Sequence, residues 1–289
     1  MKSGNPEQIS VIIPAFNEAA TIGDLVGRIF AVGPEWQVLV VDDGSNDDSA
    51  QKAAQAGADV VVHPYNLGNG AAVRSGVEAA KGEVVVLMDG DGQHPPEEIP
   101  RLLEHIGPYD MVVGARTKRS TVSSFRTFGN RMLIAVAQWL TGRRIPDLTS
   151  GFRAIKRSVY MQYAHLMPLS YSYPTTITIA TLRGGQFVLF LPLDAITRRQ
   201  GGESNIKPFK DGLKFVHIIF RIIMTFSPMR IFLPLGGLLI AAGAVMGVYQ
   251  LSVTGGFRST TVMLVLGGVF ISAFGLLADQ IAALRRLRK

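Results

Sequence analysis

Asp89-Gly-Asp91 stands at the end of an apolar run, Glu83-Val-Val-Val-Leu-Met88, and is followed by Gly92-Gln93-His-Pro-Pro-Glu. Two carboxylates one residue apart at the exit of a buried strand suit one hard cation, and the glycines allow the backbone to reverse there. Mg²⁺ or Mn²⁺ takes oxygen ligands and is commonly shared between protein carboxylates and substrate phosphates. Asp89 and Asp91 are therefore candidate metal ligands, and Gln93 can add an amide oxygen. The plainer alternative is a turn without a ligand, in which the strand would deliver two repelling carboxylates to no end. His94 precedes Pro95-Pro96, where a helix starts, and reads as structural or supporting. His63, His105, His165 and His217 have no ligand spacing and read as structural.

Two weaker clusters lie upstream. In Ile13-Pro-Ala-Phe-Asn-Glu18 the proline and small residue let the backbone turn closely around a planar base, and Glu18 can accept from ribose hydroxyls. Alone it also reads as a strand exit with Asn17 capping a helix. In Val41-Asp-Asp-Gly-Ser-Asn-Asp48, one of Asp42 and Asp43 can accept from a base imide while backbone amides hold the other. The alternative is an Asp-Gly turn with Ser45 or Asn46 as cap.

These clusters need a scaffold that gathers strand ends. The pattern predicts strands at Ile9–Pro14, Gln37–Val41, Asp59–Val62, Glu83–Met88 and Met111–Val113. Helices are expected at Ala19–Ala31, Asp47–Ala56, Gly70–Ala80 and about Pro96–Ile106. Strands alternating with helices give right-handed crossovers and an α/β fold with a mainly parallel sheet between helical layers. Ligands of such sheets bind beyond the carboxyl ends of the strands, where every cluster above falls.

The C-terminal part is of another kind. Ile231–Val253 has no charged residue, and at about 1.5 Å per residue it spans roughly 34 Å, enough for a hydrocarbon core. A second apolar run, Thr260–Ala278, ends at Asp279, and Thr254–Ser259 forms a polar turn between them, so a transmembrane hairpin is expected. Arg230 precedes the first span and Arg285, Arg286, Arg288 and Lys289 follow the second, against Arg258 alone in the loop. That bias puts both termini and the upstream domain in the cytoplasm. A buried hairpin of a soluble domain is the alternative, but nothing else in the chain could cover two helices this apolar. Ser124–Thr141 and Asp211–Phe226 look amphipathic and basic, which suits either packing on the α/β domain or the membrane interface. The expected division is 1–209 for the nucleotide-binding domain, 210–229 for an interfacial helix and 230–289 for the hairpin with its basic tail.

The 289 residues contain no cysteine, which excludes disulfides and thiolate metal sites. A formal charge of +7 suits an anionic partner, and mean hydropathy is +0.25. Nucleic-acid binding would explain the charge but not the spans. No apolar core precedes Ile9, so no signal peptide is expected.

In order and spacing, Pro-Ala-Phe-Asn-Glu, Asp-Asp-Gly-Ser, Asn66-Leu-Gly-Asn-Gly70, Asp-Gly-Asp-Gly-Gln-His-Pro-Pro-Glu, Gly114-Ala-Arg116 and Ser150-Gly-Phe-Arg153 resemble family-2 glycosyltransferases. The chain is similar to the dolichol-phosphate mannose synthase branch, which includes bacterial polyprenyl-phosphate glycosyltransferases. The resemblance covers roughly residues 9–229. It implies a GT-A-like fold and a metal, Mg²⁺ or Mn²⁺, on Asp89, Asp91 and Gln93. It also implies nucleotide contacts from Pro14, Ala15, Glu18 and Asp43, with Asp42 beside them, and phosphate contacts from Arg116 and Arg199. Arg199 opens Arg-Gln-Gly-Gly-Glu-Ser204, which is similar to the family's Arg-x-x-Gly-x-Ser-Lys; here Asn205 replaces the lysine and Lys207 follows. Arg126, Arg131 and Ser204 become candidates for an acceptor phosphate.

The expected activity is inverting transfer of a hexose from a UDP- or GDP-sugar to a polyprenyl or dolichyl phosphate. Leu169–Thr176 contains no carboxylate where many relatives with hydroxyl acceptors place a base. A phosphate monoester is already anionic and needs positioning more than deprotonation, so a lipid phosphate acceptor is favoured. A hydroxyl acceptor, or a non-catalytic membrane adaptor that keeps the nucleotide fold, is the alternative. A processive synthase is disfavoured because Gln-x-x-Arg-Trp and further spans are missing. Gly236, Gly237, Gly243 and Gly247 allow close helix packing within the hairpin or in a homo-oligomer.

Overall fold

The computed structural model describes residues 9–116, 124–169, 172–193, 208–256 and 258–287. Arg199 and Ser204 lie outside them. The chain divides into two compact units, Met1–Gly212 and Leu213–Lys289.

In the first unit, β-branched runs mark β1 (Ile9–Ala15), β2 (Gln37–Asp42), β3 (Asp59–Val62) and β4 (Val84–Leu87), and β5 (Met111–Arg116), β6 (Arg153–Lys156) and β7 (Val188–Leu193) follow. They form one seven-stranded sheet in the order β3-β2-β1-β4-β6-β5-β7. β1 is buried at every position, as a central strand covered on both faces must be. Its pairings with β2 and β4 are parallel, as are β2–β3 and β5–β7. β6 runs antiparallel to both neighbours, β4 and β5. The mainly parallel sheet expected from the alternating pattern is therefore present with one reversed strand inserted. That reversal has a consequence at the site: the start of β6, not its end, lies at the rim where β4 and β5 finish, with Leu87 paired to Arg153.

The connecting helices are α1 (Ile22–Val32), α2 (Ser49–Gln55), α3 (Asn69–Ala79), α4 (Ile99–Leu103), α5 (Ser124–Thr141), α6 (Arg157–Tyr163) and α7 (Tyr173–Arg183). α1 buries Ile22, Leu25, Val26 and Ile29, the i, i+3, i+4, i+7 stripe of a helix laid on a sheet. Those side chains join Ile13, Val40, Val86, Met88 and Phe152 in one core, each contributing about 1.5–3 kcal/mol of burial. The expected helix from Pro96 is shorter than its pattern: a 3₁₀ turn over Pro96–Glu98 leads into α4, which ends at Leu103. α5 has the expected bounds. Leu133, Ala137 and Leu140 are buried, and Arg183 Nη1 donates to the Leu140 carbonyl at 3.0 Å.

α8 (Pro208–Phe226) continues into the second unit, followed by α9 (Met229–Thr254) and α10 (Ser259–Leu287). Met229–Val253 and Ser259–Leu284 are long and apolar enough to cross a membrane. They form a hairpin in which backbones touch: a Cβ on Gly236 would stand 2.6 Å from the Gly268 carbonyl oxygen, and one on Gly268 equally close to that of Gly236. Gln250 Oε1 closes the turn by accepting from Arg258 N and Thr261 Oγ1, both at 2.8 Å. The apolar run stops at Ala278, but the helix does not. A single aspartate is no breaker, and Ala-Ala-Leu-Arg-Arg beyond it favours helix, so α10 reaches Leu287.

Candidate active site

The order β2-β1-β4 brings three of the sequence clusters to one rim. Pro14 and Ala15 are buried at the end of β1, where the Ala15 carbonyl accepts from Asp43 N at 2.8 Å. Beyond them Asn17 takes a left-handed conformation, φ 57°, which asparagine tolerates better than bulkier residues. Its N donates to Ser45 Oγ and its Oδ1 accepts from Asn46 N, both at 2.9 Å, so the β1 and β2 exits are tied together. Glu18 N donates to Ser49 Oγ at 2.8 Å, and Glu18 Oε2 accepts from Thr21 Oγ1 at 3.1 Å. The same hydroxyl lies 3.1 Å from the carbonyl oxygen of Gly90, between the two aspartates. Thr21 Oγ1 thus sits between the Glu18 loop and the Asp89-Gly-Asp91 loop, its one proton available to either acceptor.

Asp42 and Asp43 are both buried and differ in what they hold. Asp42 Oδ1 accepts from Ser45 N at 3.2 Å and from Ser45 Oγ, closing the Asp-Gly turn. Asp43 accepts from Leu67 N at 2.9 Å and Gly68 N at 2.7 Å, with His63 Nδ1 2.7 Å away. Backbone amides reach both carboxylates, one on Asp42 and two on Asp43, and the two on Asp43 anchor the Asn66–Gly70 loop. Gly44, at φ +74°, lies against that loop: a Cβ would be 2.6 Å from the Tyr65 carbonyl carbon.

Asp89 and Asp91 follow β4. Asn69 lies near Asp89 and favours its charged form, while Asp91 Oδ1 accepts from Gln93 N at 3.1 Å and its Oδ2 from Gln93 Nε2 at 2.5 Å. Gln93 presents its amide nitrogen to Asp91, so ligation through its oxygen requires the amide to turn over. Burial, reinforced by the Asp91 charge and opposed by His94, pushes the Asp89 carboxyl above the ordinary carboxylate range. Burial depresses His94, which stacks on Phe152 with centroids 5.2 Å apart and holds Nδ1 3.9 Å from Asp89 Oδ2. Among the described residues no group of three or more His, Asp or Glu could hold a metal ion unaided. The donor set fits a hard cation that takes its remaining oxygens from a substrate diphosphate, and such a cation would offset the burial and the Asp91 charge that raise Asp89.

Arg116, at the end of β5, is bound rather than open. Its Nε and Nη2 donate to the Asp147 carboxylate at 2.8 and 3.1 Å, and Nη2 also donates to Thr149 Oγ1 at 2.6 Å. Asp147 further accepts from Thr149 N and Ser150 N. Burial alone would raise the Asp147 carboxyl, but the hydrogen bonds and charge of Arg116 hold it below the ordinary range. Arg153 is fully buried. It donates through Nη1 to the Pro174 carbonyl and Thr178 Oγ1, both at 3.1 Å, and through Nη2 to the Ser150 carbonyl. Arg131 is exposed on α5, and the Arg126 side chain, with Arg199 and Ser204, falls outside what is described. Asp147, Asn69 and the His63 link were not legible as site residues. The one signal for Asp147 was Asp-Leu-Thr-Ser, an acceptor followed by residues that close turns on it.

An Asp-x-Asp turn thus stands at the carboxyl rim of a mixed α/β sheet, beside a Pro-Ala…Glu exit. Residues 10–164 match the glycosyl transferase family 2 model, and the chain belongs to that family of glycosyltransferases. Residues 227–284 match the GtrB C-terminal hairpin. The chain is 29% identical over 304 residues to the undecaprenyl-phosphate 4-deoxy-4-formamido-L-arabinose transferase of Pseudomonas aeruginosa PAO1, covering 97% of this chain and 87% of that one. It is 28% identical to glycosyltransferase AglJ of Haloferax volcanii, covering 97% and 96%. A 37% identical stretch shared with the Pseudomonas fluorescens transferase covers 52% of this chain and about half, 47%, of that relative. Among solved structures, glucosyl-3-phosphoglycerate synthase of Mycobacterium tuberculosis, captured with Mn²⁺, UDP and glucosyl-3-phosphoglycerate, shares the fold at TM-score 0.61. Identity is 22%, over 77% of this chain and 83% of that one.

Proposed function

We propose that the chain transfers a hexose from a UDP- or GDP-sugar to a polyprenyl phosphate at the cytoplasmic face of a membrane, with inversion and dependence on Mg²⁺ or Mn²⁺. The observation that carries the reading is the junction at Thr21 Oγ1, 3.1 Å from both Glu18 Oε2 and the Gly90 carbonyl. The residues suited to a nucleoside lie there beside the carboxylates suited to a cation on its diphosphate. The polyprenyl-phosphate acceptor is supported by the names of the undecaprenyl-phosphate relatives and by the apolar hairpin. UDP and Mn²⁺ in the mycobacterial synthase support the donor and metal class.

In this reading Pro14 and Ala15 flank the base, Glu18 takes the ribose, and Asp42 faces the base edge. Asp43 fixes the wall formed by Leu67 and Gly68. Asp89 and Asp91 would hold a divalent cation, and Gln93 could add its oxygen only with its amide turned over. The chemistry a bound divalent ion supplies is neutralisation of charge on the departing diphosphate. An oxygen of the lipid phosphate attacks the anomeric carbon as the bond to the nucleotide's β-phosphate oxygen breaks, and the electron pair leaves with the nucleoside diphosphate. No base is needed because the acceptor is already anionic. Arg116, Arg199, Arg126, Arg131 and Ser204 are assigned to donor and acceptor phosphates. With Asp147 and Thr149 engaging its Nε and Nη2, Arg116 would meet a phosphate through Nη1, its guanidinium held in place by Asp147.

The test is transfer of radiolabel from a panel of UDP- and GDP-sugars to polyprenyl phosphate by detergent-purified protein with Mg²⁺, Mn²⁺ or chelator. Metal-dependent label in the organic phase from one donor supports the reading. Donor binding without lipid labelling from any donor sinks the acceptor assignment.

A further inference from the structure

The Asp89 carboxylate rests on a surface that the reaction scheme leaves unused. A Cβ on Gly151 would stand 2.6 Å from Asp89 Oδ2 and 3.0 Å from its Cγ and Oδ1, so the carboxylate occupies the space where any other residue carries a side chain. Gly151 does not have a left-handed backbone. What excludes a side chain there is Asp89, not φ. The next residue, Phe152, is fully buried and stacks on His94 with an interplanar angle of 17°, and His94 Nδ1 lies 3.9 Å from the same Oδ2. Arg153 then pins the segment from beneath through the Ser150 and Pro174 carbonyls and Thr178. Its pairing with Leu87 locks it to the strand that delivers Asp89. Three consecutive residues therefore each limit where the carboxylate can go: one by backbone contact, one through a stacked imidazole, one by anchoring both.

We propose that Gly151 and Phe152 are positioning residues for the metal-binding carboxylate, acting through the orientation of Asp89 and not by touching donor or acceptor. The inference rests on the reading of Asp89 as a metal ligand. Supporting groups of this kind typically change metal affinity by about 10–100-fold when removed. A methyl group on Gly151 must push the carboxylate out of its slot, since the three nearest atoms it meets, at 2.6 to 3.0 Å, are those of the Asp89 carboxylate itself.

The experiment measures Mn²⁺ binding to full-length protein in detergent by loss of the free-ion electron paramagnetic resonance signal, with Mn²⁺ alone and with added UDP or GDP. Gly151→Ala is expected to raise the Mn²⁺ dissociation constant about tenfold or more, with nucleotide binding in chelator and the metal-free melting temperature unchanged. Phe152→Leu, which removes the ring beneath His94 and keeps the core apolar, is expected to raise it several-fold, and it decides the matter if Gly151→Ala does not fold. Wild-type Mn²⁺ affinity in the folded variants overturns the positioning role and leaves the metal reading intact. Failure of the wild-type chain to bind Mn²⁺ with either nucleotide overturns the metal reading, and this inference with it.

Discussion

His63 Nδ1 lies 2.7 Å from Asp43 Oδ1, and its Nε2 lies 2.9 Å from Ser75 Oγ, so one buried imidazole spans the end of β2 and the middle of α3. With the proton on Nδ1 the ring donates to Asp43, and Nε2 accepts from the serine hydroxyl. The order Asp-His-Ser invites comparison with a hydrolytic relay, but the hydroxyl sits on a helix and the carboxylate is already committed to Leu67 N and Gly68 N. The chain of bonds instead fixes the loop before α3 against the β2 turn.

His63→Ala therefore leaves the buried Asp43 carboxylate and the half-buried Ser75 hydroxyl each a partner short, at a cost of about 1–3 kcal/mol. The expected outcome is a lower melting temperature together with a raised KM for the nucleotide sugar and little change in kcat, because the reacting atoms are untouched. Thermal denaturation and steady-state kinetics over donor concentration check it. An equal fall in kcat and kcat/KM would assign the ring to the chemical step and sink this account.

Asp147 gives a pH dependence with a definite sign. Its folded carboxyl titrates below the ordinary aspartate value because Arg116 binds its charged form. As pH falls, the unfolded chain takes up the proton first. The stabilisation is therefore whole above about pH 4 and drains away as pH drops through the folded value. Asp147→Asn should lose about 1–3 kcal/mol at neutral pH, below the range for a fully buried pair, since Arg116 is 37% exposed. It should also show a flatter acid limb. Chemical denaturation at several pH values between about 6 and 3 reads both effects. An acid limb parallel to the wild type would mean that another carboxylate sets the slope.

What could be read from the chain divides along a physical line. β4 was visible because Val-Val-Val-Leu is buried on both faces and leads into paired aspartates. β6 was not, because Arg-Ala-Ile-Lys has charge at both ends and only four residues, and its burial comes from neighbours far away in sequence. α7 is rich in β-branched residues, Thr-Thr-Ile-Thr-Ile, which locally favour a strand. It is a helix because nine consecutive residues, Tyr173–Thr181, are buried, with Thr178 and Thr181 hydroxyls folded back onto the helix's own carbonyls. The Asp89 and Asp91 cluster was local and could be seen. Arg116–Asp147 and Asp43–His63 are tertiary pairs, 31 and 20 residues apart, and no single-sequence pattern announces them.

α5 carries the last prediction. Its inner stripe, Leu133, Ala137 and Leu140, is buried, while Met132 and Trp139 stand 45% and 50% exposed on another face alongside exposed Arg131, with Arg143 and Arg144 just past its end. Packing and an interfacial role are thus not exclusive: the helix has one apolar stripe for the domain and a second, flanked by arginines, facing outward. That outward face has the composition of a surface that settles among lipid headgroups. The chain has two tryptophans, and the other, Trp36, is 7% exposed in the sheet domain, so one fluorophore reports on this face. In vesicles reconstituted with full-length protein, lipids brominated near the headgroup should quench the Trp139 contribution, and Trp139→Phe should remove the quenchable component while leaving Trp36 emission. If wild type and Trp139→Phe lose the same fraction of their signal, the outward stripe does not meet lipid. Acceptor phosphate would then have to reach Asp89 without help from α5, and Arg131 would drop out of the acceptor site.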